Sequence, residues 1–138
     1  MKPLRPIPFL LILCVLAAGC RKGQEMDPEL DRSEDVCLRV KGKAIFTYDI
    51  DQDQLTFNEF LQEFRAGSDD MGSYFIVTCK QLPTRDGQDI KADLRWKNGS
   101  GSVQKRNGLT FRVQKTDEQG RIWLWCSKER IGAVVRKF

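Results

Sequence analysis

The sequence predicts a single α+β domain, in which a mainly antiparallel, curled sheet or partial barrel of six or seven strands carries one amphipathic helix. Two patterns support this class. From Val36 onward, apolar and polar residues alternate in several short runs separated by turn residues. One segment, 57–64, instead repeats its apolar residues at helical spacing. With 41% hydrophobic and 30% charged residues, the composition is that of a globular chain.

The strands are predicted from alternation with a period of two, which places every second side chain on one face of a sheet. Turn residues at 98–101 and 117–120 predict two hairpin connections, because Asn, Asp and Gly accept the backbone angles of tight turns. The predicted strands cover residues 36–41, 44–48, 74–80, 90–96, 109–114, 122–126 and 131–138.

The helix is predicted from a capping pattern and an apolar stripe. Thr56 precedes Glu59 by three residues, which is the spacing of a capping box, and Gly67 follows as a C-cap. Four apolar residues between them lie at positions i, i+3, i+4 and i+7, namely Phe57, Phe60, Leu61 and Phe64. We expect this stripe to pack on the sheet as core, with Phe60 as its central ring.

The charge and the residue types exclude several classes of function. The chain has 138 residues, a formal charge of +4 and no histidine. Removing residues 1–19 takes away Lys2 and Arg5 and no acid, so 21 basic side chains then face 19 acidic ones. This balance argues against a nucleic-acid partner. The lack of histidine excludes hydrolase triads that use imidazole and removes a common metal ligand.

The amino-terminal residues have the composition of a signal peptide. Lys2 and Arg5 precede an apolar run at 9–16, and three small residues follow at 17–19. About ten apolar residues are too few for a helix that crosses a bilayer, which needs ~20. We therefore predict a cleaved signal peptide over residues 1–19.

The segment Leu16-Ala17-Ala18-Gly19-Cys20 resembles the lipobox of bacterial lipoproteins, in which the cysteine becomes the acylated amino terminus. Ala17 occupies the position where the family usually has leucine, and alanine is tolerated there. The resemblance covers residues 1–20 and implies that Cys20 anchors the protein to a membrane through its lipid. In lipoproteins of enteric type, aspartate after the cysteine favours the inner membrane. Arg21 at this position thus favours the outer membrane.

Residues 20–35 are predicted to form a lipidated flexible tether, and residues 36–138 the single small domain. The tether contains few apolar residues, one proline and many charges of both signs, a composition that cannot bury enough surface to become ordered. Fifteen such residues have a root-mean-square reach of about 20 Å, which lifts a domain clear of the lipid headgroups.

No metal or cofactor is expected. Asp49, Asp51 and Asp53 alternate as at the start of a calcium loop. The sixth position of such a loop is Gln54 instead of glycine, and the twelfth is Phe60 instead of glutamate. The cysteines form no CxxC pair, so a zinc site is not predicted either.

Cys79 and Cys126 are predicted to face the core from neighbouring strands, where a disulfide can join them if their Cα atoms are about 5.5 Å apart. Cys37 lies in phase with polar residues and is the expected free thiol. If the signal peptide is instead cut as an ordinary secretory signal, Cys20 adds a fourth cysteine. Two disulfides with three alternative pairings then become available.

Trp123, Trp125 and Arg121 are the predicted partner-binding residues. The two indoles are out of phase with Ile122 and Leu124, so they leave the sheet on the opposite face, beside cationic side chains. A sheet covered on both faces is the alternative, in which both indoles are core.

These patterns favour a non-enzymatic lipoprotein of the bacterial cell envelope. Its domain would bind another envelope protein or a polymer, while its lipid holds it to the membrane. Two alternatives stay open. One is an enzyme that uses carboxylates on an envelope glycan, since acid pairs are present in the sequence without any further catalytic motif. The other is a plain secreted protein with disulfides.

Overall fold

The computed structural model describes residues 26–48, 55–68 and 71–137. The signal peptide, Cys20 and the acidic run 49–54 lie outside these ranges. The described residues form one antiparallel sheet of nine strands, which curls into a half-barrel, and one short helix. None of the helical residues described forms a segment long and apolar enough to span a bilayer.

The strand order in the sheet is β2-β1-β9-β8-β7-β6-β5-β4-β3. Strands that follow one another along the chain pair as hairpins, except that β2 and β3 lie at the two edges and β1 pairs with β9. The elements are α1 (Pro28–Asp31), β1 (Val36–Val40), β2 (Lys43–Tyr48), β3 (Leu55–Asn58), β4 (Glu63–Ser68), β5 (Ser73–Cys79), β6 (Asp89–Asn98), β7 (Gln104–Thr116), β8 (Arg121–Cys126) and β9 (Ile131–Arg136).

The predicted antiparallel, curled sheet is confirmed, but it has nine strands instead of six or seven. The two additional strands, β3 and β4, occupy the segment for which the sequence predicted a helix. The other predicted strands are present within two residues of their expected ends, except that β7 begins at Gln104, five residues before its expected start.

The interior of the half-barrel is filled with apolar side chains. Phe64, Phe75 and Phe111 are completely buried, and every second residue of β6 faces the same core. A cavity between Leu55, Phe64 and Val135 measures only about 10 Å³, roughly the space for one water molecule. The inner face of the sheet therefore forms a packed core.

The curl brings the edge strand β2 against the end of β5. The hydroxyl of Tyr48 donates a hydrogen bond to the carbonyl of Ser73 over 2.9 Å, and the rings of Phe46 and Phe75 lie 5.3 Å apart. Gly67 is required at this junction, because its φ is +82° and a Cβ there would collide with the Tyr48 ring.

The amphipathic helix predicted over 57–64 is wrong, since these residues form the β3–β4 hairpin. Phe57 pairs with Phe64 across the two strands, with ring centroids 4.7 Å apart. The spacing i, i+7 that suggested a helix also fits two residues that face each other across a hairpin. Phe60 and Leu61 lie in the turn and are 98% and 58% exposed.

The predicted flexible tether is also wrong for residues 26–35, which pack on the outer face of the sheet. Asp27 caps α1 by accepting a hydrogen bond from the Glu29 amide over 2.9 Å and pairs with Arg39 at 2.7 Å. Leu30 is fully buried. Leu30 and Met26 pack on apolar side chains of the sheet, and polar contacts of Asp27 with Arg39 and of Asp31 with Lys115 hold the charged residues of this segment on the sheet.

We predict that Phe64→Ala lowers the free energy of unfolding by about 3 to 5 kcal/mol, because it leaves a cavity in the interior. Phe60→Ala removes the same ring from an exposed turn and is expected to change stability by less than about 0.5 kcal/mol. Chemical denaturation of both variants measures the difference. Equal losses of unfolding free energy in the two variants would contradict the hairpin and support a helix with Phe60 in the core.

Candidate functional site

The two predicted binding tryptophans lie on the outer face of β8, as their phase required, but they are buried. Trp123 and Trp125 are only 4% and 5% exposed because α1 covers them. They form a second apolar cluster on this face, here called the outer cluster, which consists of Leu30, Cys37, Trp123, Trp125 and Val134. The expectation of two exposed indoles is therefore wrong, and the alternative of a sheet covered on both faces holds at β8.

Trp123 is fixed by polar contacts as well as by packing. Its indole N–H donates a hydrogen bond to the carbonyl of Leu30 over 3.1 Å. The Lys115 ammonium lies 4.6 Å and the Arg121 guanidinium 5.4 Å from the ring centroid, which is cation–π distance. These cations cover an indole of the same chain instead of presenting it to a partner.

Arg121 joins three segments of the chain. Its guanidinium pairs with Asp117 at 2.6 Å and donates a hydrogen bond to the carbonyl of Glu34. Burial alone would raise the pKa of Asp117, but hydrogen bonds from the backbone and guanidinium of Arg121 lower it. The three residues predicted to bind a partner thus have structural roles.

The three cysteines among the described residues are buried, free thiols. Cys79 and Cys126 both face the interior core, as predicted, but they lie on β5 and β8 with two strands between them instead of on neighbouring strands. Burial raises the pKa of Cys79 to about 12. Cys37 was expected on a solvent-exposed face, but it belongs to the outer cluster, where burial raises the pKa of its thiol.

A large open cavity lies next to the outer cluster, at the place where β8 ends and β7 continues. The pairing of β7 with β8 extends from Thr116 only to Arg112, opposite Trp125. Towards its amino end, β7 runs on to Gln104 and pairs there with β6 alone. This step in the sheet, together with the β8–β9 turn at 127–130, forms a recess that we call the notch.

The notch has a volume of about 740 Å³, within the range of typical ligand sites. Four cationic and two acidic side chains line it, namely Lys91, Arg106, Arg112, Lys128, Asp89 and Glu129. The guanidinium of Arg112 donates hydrogen bonds of 3.0 and 3.2 Å to the carboxylate of Asp89, so the charges of these two residues balance each other. The notch therefore has an excess of positive charge.

The backbone of β7 also faces the notch. The N–H and C=O of Val113 bond to Gln88 and Gly87 on the β6 side, at 2.8 and 2.7 Å. Backbone groups alternate in direction along a strand, so those of Arg112 and Thr110 point the other way. Arg112 meets Trp125 of β8 there. Thr110 directs its N–H and C=O into the notch, where no described strand pairs with β7.

The sequence did not indicate the notch, although the cationic side chains expected beside the tryptophans include three that line it, Arg106, Arg112 and Lys128. The lining residues come from β6, β7, the end of β8 and the β8–β9 turn, and the sequence pattern places the charged ones on the solvent-exposed faces of ordinary strands. The sequence pattern predicted two strands of similar length, 109–114 and 122–126, so it did not show that β7 extends to Gln104. Only the pairing register reveals the open edge.

The described residues contain no group of three or more side chains suited to hold a metal ion. The acidic run 49–54, which resembles the start of a calcium loop, lies outside the described residues. Comparisons with family models, curated proteins and solved structures find no match for this chain.

Proposed function

We propose that this protein is a lipoprotein of the bacterial cell envelope, anchored in a membrane through Cys20, with a non-enzymatic binding role. The residues that precede Cys20 support the anchor, because a basic start, a short apolar run and small residues occur in the order of a lipoprotein signal peptide. Arg21 favours the outer membrane over the inner one.

The notch is the observation that supports the binding role. It combines a large open recess, an excess of positive charge and backbone groups of β7 that face it. Another protein or a polymer of the envelope, with an anionic surface, is the partner that matches these properties. The binding residues proposed here are Lys91, Arg106 and Lys128, in place of the buried tryptophans.

A carrier of small apolar molecules is less favoured, because buried side chains such as Phe64, Phe75 and Phe111 fill the described interior. An enzyme that uses carboxylates is also less favoured. Asp89 and Glu129 are the acids of the notch, and both carboxylate oxygens of Asp89 are held by Arg112. A secreted protein held together by disulfides receives no support from the buried free thiols.

For the anchor, we predict that Cys20→Ser prevents acylation, because serine provides no thiol for the thioether bond to the lipid. The variant is expected to accumulate as precursor without an acyl mass, while the wild type floats with membranes. Mass spectrometry and membrane flotation measure both properties. If the wild type carries no acyl mass and fractionates as the variant does, the protein is not a lipoprotein.

For the notch, we predict that a photo-crosslinking amino acid at Asn107 captures an envelope component in living cells. Asn107 is exposed and lines the notch. The matched control is the same amino acid at Glu118, which is exposed in the β7–β8 turn outside the notch. We expect one discrete adduct from position 107 and none from 118. Equal crosslinking from both positions, or none from 107, would contradict a binding role of the notch.

A further inference from the structure

We propose that the notch binds an extended acidic peptide, which pairs with the open edge of β7 as an additional strand. This inference rests on the proposed binding function and specifies its partner. Residues 104–111 of β7 lie beyond the last residue that pairs with β8, so their β8 side borders the notch. Extended segments of partner proteins add to exposed sheet edges in this way and gain affinity from backbone hydrogen bonds.

The β7 edge is longer than the other two edges of the described sheet. β2 has six residues and β3 has four. The edge of β2 is also partly occupied, because the side-chain amide of Asn98 donates to the carbonyl of Ile45 over 3.0 Å. Short or covered edges are poor templates for a further strand.

The geometry of the notch fits one strand. A neighbouring strand lies about 4.8 Å away and meets the N–H and C=O groups of alternate residues, which are those of Thr110 near the carboxyl end of the open segment. A bulge separates this part from residues 104–106, because Gly108 has a φ of +68° and its N–H donates to the carboxylate of Asp93 over 2.8 Å. The β8–β9 turn borders the recess where β8 ends and contributes Ser127, Lys128 and Glu129 to its lining. An added strand would thus continue the direction of β8 beside β7.

The charges of the notch select an acidic peptide. Lys91 is exposed opposite Thr110 on the outer face, and Lys128 is exposed in the turn. Arg106 stacks on Trp96 at 5.2 Å from the ring centroid and adds a third cation to the lining. Alternate side chains of an added strand would point to this outer face, where carboxylates meet Lys91 and Lys128.

A second copy of the chain is a poor occupant of the same edge. Two β7 edges that pair with each other would bring Lys105 and Arg106 of each copy to one short ladder, and neighbouring like charges destabilise strand pairs. The edge carries no acidic residue between Gln104 and Thr116 that could compensate.

The test uses the full lipidated protein in detergent and a fluorescent nine-residue peptide that alternates glutamate and valine. We expect binding in fluorescence anisotropy that weakens as salt rises. The same peptide with N-methyl groups on alternate backbone nitrogens is expected to bind at least 10-fold more weakly, because it cannot complete the ladder. A peptide with lysine in place of glutamate is expected not to bind.

Two protein variants test the site. Lys91→Glu combined with Lys128→Glu is expected to weaken peptide binding at least 10-fold. Thr110→Pro, which removes an N–H that faces the notch, is expected to do the same. Lys41→Glu combined with Lys43→Glu, an equal charge change at two exposed lysines of the β1–β2 hairpin, is the control and should bind as the wild type does. Denaturation midpoints of all variants verify that each is folded.

Three results would overturn the inference. Equal binding of the methylated and unmethylated peptides would mean that charge alone holds the ligand, as it would for an anionic polymer. A salt-resistant dimer that blocks the peptide would make a second copy the occupant. If neither peptide binds while Asn107 still crosslinks to an envelope component, the inference fails and the proposed function stands. If the peptide binds but Asn107 does not crosslink, the notch can accept an acidic strand, and the proposed function in the envelope fails.

Discussion

The unequal pairing of β7 with its two neighbouring strands opens the notch beside the packed core. This strand has thirteen residues and pairs with β6 from Gln104 to Arg112, but with β8 only from Arg112 to Thr116. The amino-terminal part of β7 thus pairs with β6 and its carboxyl-terminal part with β8, and its Phe111 packs with Phe75 in the interior core. The same stagger leaves one side of β7 without a strand neighbour among the described residues. The register of β7 therefore accounts for the open recess beside the packed interior.

One part of the outer face of the sheet is covered by α1, and the neighbouring part is open at the notch. The short helix α1 lies over Trp123 and Trp125, and Gly132 makes this possible, because a Cβ there would collide with Leu30 and approach Trp125. The notch begins at the edge of this covered area, with Trp125 as a shared residue. A segment with the composition of a tether therefore stabilises the sheet directly next to the proposed binding surface.

Local patterns predicted the sheet well, because alternation reports which face of a strand is buried regardless of its neighbours. They failed at residues 57–64, where Phe57 and Phe64 meet across a hairpin at a separation that a helix also produces. The phase of Trp123 was correct, but its burial depends on Leu30, about ninety residues earlier in the chain. The notch depends on where β8 ends relative to β7, which is a property of long-range pairing. Such relations between distant segments are absent from any short window of sequence.

The open edge of β7 is the basis of the proposed binding role, and amide hydrogen exchange of the unbound protein tests it most directly. Backbone N–H groups in a sheet ladder exchange slowly, whereas those open to solvent exchange fast. The account predicts fast exchange for the amide of Thr110. It predicts slow exchange for the amide of Phe111, which faces β6, and for that of Arg112, which faces β8. Slow exchange of Thr110, equal to that of Arg112, would show that a segment of this chain already pairs with the edge, and would contradict an open notch.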